Sequence, residues 1–123
     1  MARLFLLGGS AFGFLSVALG AFAAHALKER FDAYSLGVFQ TGVQYQFFHS
    51  LALLLVGILA LQTQTSYRLT GLCFLFGIVV FSGSLYLLAF TGVKWLGAIT
   101  PLGGVAFLVG WLSLFLTIFK TVR

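Results

Sequence analysis

The chain has 123 residues, 61% of them hydrophobic and only 7% charged, with a mean hydropathy of +1.12. A soluble domain carries about 25% charged residues, so this chain lacks the material for a water-facing shell and reads as an integral membrane protein. Its net charge of +5 comes from basic residues standing singly at the ends of apolar runs; that is an anchoring pattern, which argues against nucleic acid as a partner.

The first apolar run, 4–24, follows Arg3 and contains no charge. It shares features with a secretory signal, including small residues around Ala21 and Ala23, but it is long for a signal core and is expected to be a retained transmembrane helix. Gly9 and Gly13, continued by Ser16 and Gly20, place small residues at three- and four-residue spacing. Such spacing lets helix backbones approach closely, either within one molecule or between copies. Residues 25–39 are polar, with Leu27, Phe31, Tyr34 and Val38 at helical spacing, which predicts a short amphipathic helix lying in the headgroup layer. Lys28 and Asp32, four apart, are placed to pair across one turn.

The second apolar run, Leu51 to Leu61, is too short to cross a bilayer, which takes about 20 residues. The polar stretch Gln40 to Ser50 must therefore supply the outer half of a second span over 41–61. A third span is expected over 69–90 and a fourth over 97–119, the latter containing Pro101, the sole proline. The expected fold is all-α, a four-helix transmembrane bundle forming one domain over 1–123, embedded in a lipid bilayer. Glycines placed for helix packing are Gly9, Gly13, Gly83, Gly103, Gly104 and Gly110.

Four spans put both termini on one side. That side carries Arg3, Arg68, Lys120 and Arg123, against Lys28, Arg30 and Lys94 on the other. The bias in basic residues places the termini in the cytoplasm and the chain in a bacterial inner membrane.

A rise of about 1.5 Å per residue puts His49 about 5 Å and Tyr45 about 10 Å outside the midplane of the second span. Ser82, Ser84 and Tyr86 fall in the same half of the third span, and Thr100 in that of the fourth. Gln44, Tyr45, His49, Ser82, Ser84 and Thr100 thus form a candidate intramembrane polar cluster. Polar side chains at this depth either bond across helices, partly to backbone freed at Pro101, or line a pocket open to the outer surface.

Catalytic, cofactor-binding and metal-binding residues are all expected to be absent. The two carboxylates, Glu29 and Asp32, lie in the polar connection. His25 and His49 differ in depth by about 11 Å, Cys73 is the single cysteine, and Ser82-Gly83-Ser84 is no nucleophile elbow. A proton-coupled exporter normally uses a carboxylate buried within a span, and none is present.

Four segments together resemble a known family. They are Gly20 to Leu27 (GAFAAHAL), Tyr45 to Ala52 (YQFFHSLA), Phe81 to Tyr86 (FSGSLY) and Gly97 to Gly104 (GAITPLGG). They are similar to the YgdD-like (UPF0382) family of small bacterial inner-membrane proteins with four predicted spans and no assigned biochemical function. The resemblance covers essentially the whole chain, implies the four-span architecture and supplies no catalytic residue. The sequence-based expectation is a non-enzymatic structural or interaction protein, acting on a partner membrane protein or as a homo-oligomer. The alternative is a small-molecule or lipid binder or permease that uses a polar pocket in the outer half of the bundle.

Overall fold

Backbone N–H and C=O groups find no water inside a bilayer, so a chain this apolar must satisfy them within its own helices. In the computed structural model, which describes residues 1–123, 102 backbone hydrogen bonds do so, 90 of them inside the helices. Helix α1 covers Ala2–His25 and α2 covers Ala33–Gln62. Helix α3 runs from Arg68 to Thr91, with a wider-wound π segment at Ile78–Ser82. Helix α4 covers Thr100–Thr121 and is preceded by a 3₁₀ turn, Lys94–Ala98. All four are long and apolar enough to cross a membrane.

The interfacial helix expected between the first two spans is not a separate element. Leu27–Glu29 forms a single 3₁₀ turn, and α2 begins at Ala33, well before the expected start of the span. Asp32 is the reason. Its carboxylate accepts the Ser35 N–H at 2.8 Å, capping α2 instead of pairing with Lys28, and no proline follows to stop the helix. At 30 residues α2 is about 45 Å long, more than the hydrocarbon core needs, so its first turns stand at the surface. A satellite cluster of Ala23, Leu27, Phe39 and Ala89 fixes this connection, with the Phe31 and Phe90 rings edge to face at 5.0 Å.

Pro101 also differs from expectation. It lies in the first turn of α4, where its missing N–H has no intrahelical partner to lose, so it frees no carbonyl at mid-depth. Gly92 ends α3 in the left-handed conformation, at φ 69°.

Helix α1 lies along α2, α2 packs on α3, and α3 packs on α4. The main core joins Phe5, Leu53, Val56, Phe74, Ile78, Phe107 and Leu114. Glycines set the separations. A Cβ on Gly9 would stand 2.8 Å from the Ser50 carbonyl oxygen, and one on Gly110 2.6 Å from the Phe74 ring. At Gly103 it would run into the Phe81 backbone. The glycine face of α1 thus serves a crossing inside the molecule. Gly13 and Gly104 make ordinary contacts, at 3.6 and 3.8 Å. Gly83 has nothing within 4 Å and is not a packing glycine, because its side of α3 looks outward. Five glycines outside the expected set make close contacts: the Phe5 ring lies on Gly71, Phe107 on Gly77, Tyr86 on Gly42, Leu6 on Gly57 and Leu75 on Gly8.

Gly103→Ala is expected to cost about 1–3 kcal/mol, since backbone and not a flexible side chain must yield. Gly104→Ala is expected to be near neutral. Reversible unfolding in mixed micelles measures both, and equal losses would contradict this packing. Capping of α2 also carries a pH signature. The Ser35 N–H holds the Asp32 carboxyl below its ordinary range. Its stabilisation is therefore present at neutral pH and is lost as pH falls through that lowered value. NMR titration of the Ser35 amide should follow this, and Asp32→Asn should abolish the titration while keeping the cap.

Candidate functional site: the intramembrane polar layer

The inward face of α2 is defined by Phe39, Gly42, Gln46, His49, Leu53 and Val56, spaced three and four apart and all buried. Gln44 lies off this face and is exposed, so it does not belong to the polar cluster; Gln46, two residues on, takes that place. The Gln46 amide bridges three helices. Its Nε2 donates to the Phe12 carbonyl of α1 at 2.9 Å, and its Oε1 accepts the Tyr86 hydroxyl of α3 at 2.6 Å. One turn away, Ser82 donates its hydroxyl to the Gly42 carbonyl at 2.7 Å, tying the π segment to α2.

His49 is held from four directions. Its ring stacks on Phe107, with centroids 3.6 Å apart and planes 9° from parallel, and the Phe74 ring meets it edge on at 5.3 Å. Nδ1 lies 2.7 Å from the Tyr45 carbonyl, and the Trp111 indole N–H donates to Nε2 at 3.0 Å. A carbonyl can only accept and an indole N–H can only donate. The pair therefore fixes the neutral tautomer with its proton on Nδ1. A second ring proton would have to displace the indole from Nε2.

Ser84 and Thr100 share a hydrogen bond of 2.6 Å at the start of α4, and Ser84 also lies 2.9 Å from the Phe81 carbonyl. Tyr45 is 39% exposed; its ring leans on Phe81 at 4.9 Å and its hydroxyl makes no bond in the network. In the other half of the bundle Thr70 and Ser113 pair at 2.8 Å. The expected cluster is thus a set of separate short-range locks. Ser82, Ser84, Thr100 and His49 each join one, while Tyr45 contributes only its ring and backbone.

Gln46 and Tyr86 were left outside the expected cluster, and Trp111 was missed altogether. One signal for Trp111 was available: it sits deep inside an apolar run, away from the interface where tryptophan normally collects. His25 is exposed at the end of α1, and no three His, Cys, Asp or Glu side chains come together. Grooves of about 570, 470 and 460 Å³ mark the surface. Tyr45, His49, Ser82 and Thr100 line none of them.

Four apolar helices joined through a polar layer define a four-span membrane protein. The comparisons give the family. The model of a family described as "Protein of unknown function (DUF423)" matches residues 19–104. The UPF0382 membrane protein of Haemophilus influenzae is 48% identical over 109 residues, covering 89% of this chain and 88% of that protein. YwdK of Bacillus subtilis, a UPF0382 membrane protein, is 45% identical over 91% of this chain and 93% of its own. A relative from Staphylococcus saprophyticus is 43% identical over 96% and 98%. This chain belongs to that family of bacterial membrane proteins. No solved structure matches it.

Trp111→Phe keeps an aromatic ring but removes the donor to His49. It is expected to cost about 1–2 kcal/mol in micelle unfolding. Gln46→Leu and Tyr86→Phe should each destabilise by a similar amount, and the double variant by clearly less than their sum. Strict additivity would mean that the 2.6 Å bond between them carries no stability.

Proposed function

We propose that this protein is a non-enzymatic component of the bacterial cytoplasmic membrane, working through contacts of its helix surfaces with a partner membrane protein or a second copy. One observation supports this above the rest: the buried polar side chains Gln46, His49, Ser82 and Ser84 are each bonded across helices. Gln46 is used at both ends and His49 at both ring nitrogens, which leaves neither with a group turned toward a ligand. The chain's two carboxylates lie at the surface, far from His49 in sequence, so acid–base chemistry within the membrane has no second partner.

The widest surfaces for association are those of α1 and α4, the least buried of the four helices. In α1 only Phe5, Gly9, Ser16 and Ala23 are buried, while Leu7, Phe14 and Val17 face outward. In α4, Leu102, Val105, Leu108, Leu112 and Phe115 do the same. The excess of basic residues at the end carrying both termini, Arg3, Arg68, Lys120 and Arg123, supports a cytoplasmic side for them.

The test is a flux measurement. Proteoliposomes loaded with a pH-sensitive dye are expected to leak protons no faster than empty vesicles, with wild-type protein and His49→Phe alike. A protein-dependent flux abolished by His49→Phe would overturn the reading in favour of a permease. Reporter fusions at Arg123 check the orientation: a cytoplasmic reporter is expected to be active there and an exported one inactive.

A further inference from the structure

At the end of the bundle that carries both termini, the start of α3 meets the last turns of α4 in a cleft of about 470 Å³. Its polar walls are Ser66, Tyr67, Arg68, Thr70, Ser113 and Thr117. The other two grooves are lined mainly by hydrophobic residues; this one is not.

Two observations give the cleft a positive sign, and a third leaves beside it a polar group without a partner. Firstly, α3 starts without a side-chain cap and without an acidic residue in its first turn. Its first backbone bond is Gly71 N–H to the Tyr67 carbonyl, and the Arg68 N–H makes only a long contact of 3.4 Å with Ser66 Oγ. The N–H groups of Leu69 and Thr70 therefore stand at the positive end of a 24-residue helix with no partner from the chain. α2 is the contrast: the chain gives it the Asp32 carboxylate. Secondly, Arg68 lines the cleft, and the other charged residues at that end of the bundle, Arg3, Lys120 and Arg123, are all basic. Thirdly, Tyr67 is 2% exposed, and its hydroxyl is the single buried side-chain polar atom of the fold without a hydrogen-bond partner.

We propose that this cleft is a binding site for a phosphate-bearing anion at the membrane surface. Arg68 and the free N–H of Leu69 hold the phosphate oxygens, Thr70, fully buried, closes the floor beneath them, and the Tyr67 hydroxyl gains a partner when the site fills. A guanidinium beside an uncapped helix N-terminus suits a tetrahedral oxyanion, because it offers several converging donors and positive charge together. A cation would find no carboxylate here. The phosphate of an anionic lipid headgroup and free phosphate share this chemistry. The site does not depend on the non-enzymatic reading, since it lies apart from the polar layer.

The experiment uses the full chain in nanodiscs of phosphatidylcholine, with or without phosphatidylglycerol, followed by native mass spectrometry and thermal unfolding. Phosphatidylglycerol is expected to remain as a single adduct and to raise Tm. Arg68→Gln should weaken that retention about tenfold or more, the effect of losing one charge-assisted bond. Arg123→Gln should leave it unchanged. Tyr67→Phe separates binding from folding. In phosphatidylcholine alone it should keep or raise Tm, since the hydroxyl has no partner to lose, yet it should lower phosphatidylglycerol retention several-fold. Inorganic phosphate added to phosphatidylcholine discs distinguishes the sources. A Tm rise that Arg68→Gln abolishes assigns the site to soluble phosphate, and a response to phosphatidylglycerol alone assigns it to lipid. Equal retention by wild type, Arg68→Gln and Tyr67→Phe, or no response to either anion, overturns the proposal.

Discussion

The structure depends on one constraint: a polar group in hydrocarbon must find its partner inside the protein. In water an unpaired amide has a solvent to fall back on. In a bilayer it costs several kcal/mol, and the hydrophobic effect that would drive helices together is absent. Gln46 shows how the chain meets this. One side-chain amide takes the Phe12 carbonyl and the Tyr86 hydroxyl, so satisfying it requires α1, α2 and α3 to be adjacent and in register. Ser82 on Gly42 repeats the requirement for α2 and α3, and Ser84 on Thr100 and Trp111 on His49 extend it to α4.

Close packing supplies the rest. Large rings rest on glycines of the facing or neighbouring helix, Phe5 on Gly71 and Phe107 on Gly77, and the α4 backbone at Gly103 presses against α3 at Phe81. These contacts gain dispersion energy only when side chains are absent on one side, which explains why so apolar a chain spends so many positions on glycine. The π segment Ile78–Ser82 lies where α3 meets both Gly103 and the Gly42 carbonyl. Its wider winding and the Ser82 bond occur together there.

These features divide the molecule by depth. In the middle, His49 is held between a carbonyl, an indole and two rings. At the surface the two ends of the bundle differ. Asp32 gives α2 its own capping anion, whereas α3 begins with none, beside Arg68 and a tyrosine hydroxyl without a partner.

By itself the sequence determined the class and the span count. Apolar runs of membrane length separated by short polar turns allow few other solutions. Gly9, Gly103 and Gly110 were legible as contact points because small residues at three- and four-residue spacing have one common use in a spanning helix. Helix rotation was not legible. Polar residues surround the outer half of α2, and only the positions of α1, α3 and α4 decided that Gln46 turns inward while Gln44 turns out. Nor could spacing reveal that Trp111, sixty-two positions along the chain from His49, is its partner. Depth follows from counting residues along one helix. The partner of each polar group follows from how neighbouring helices rotate against one another, and that is settled only when all of them are packed together.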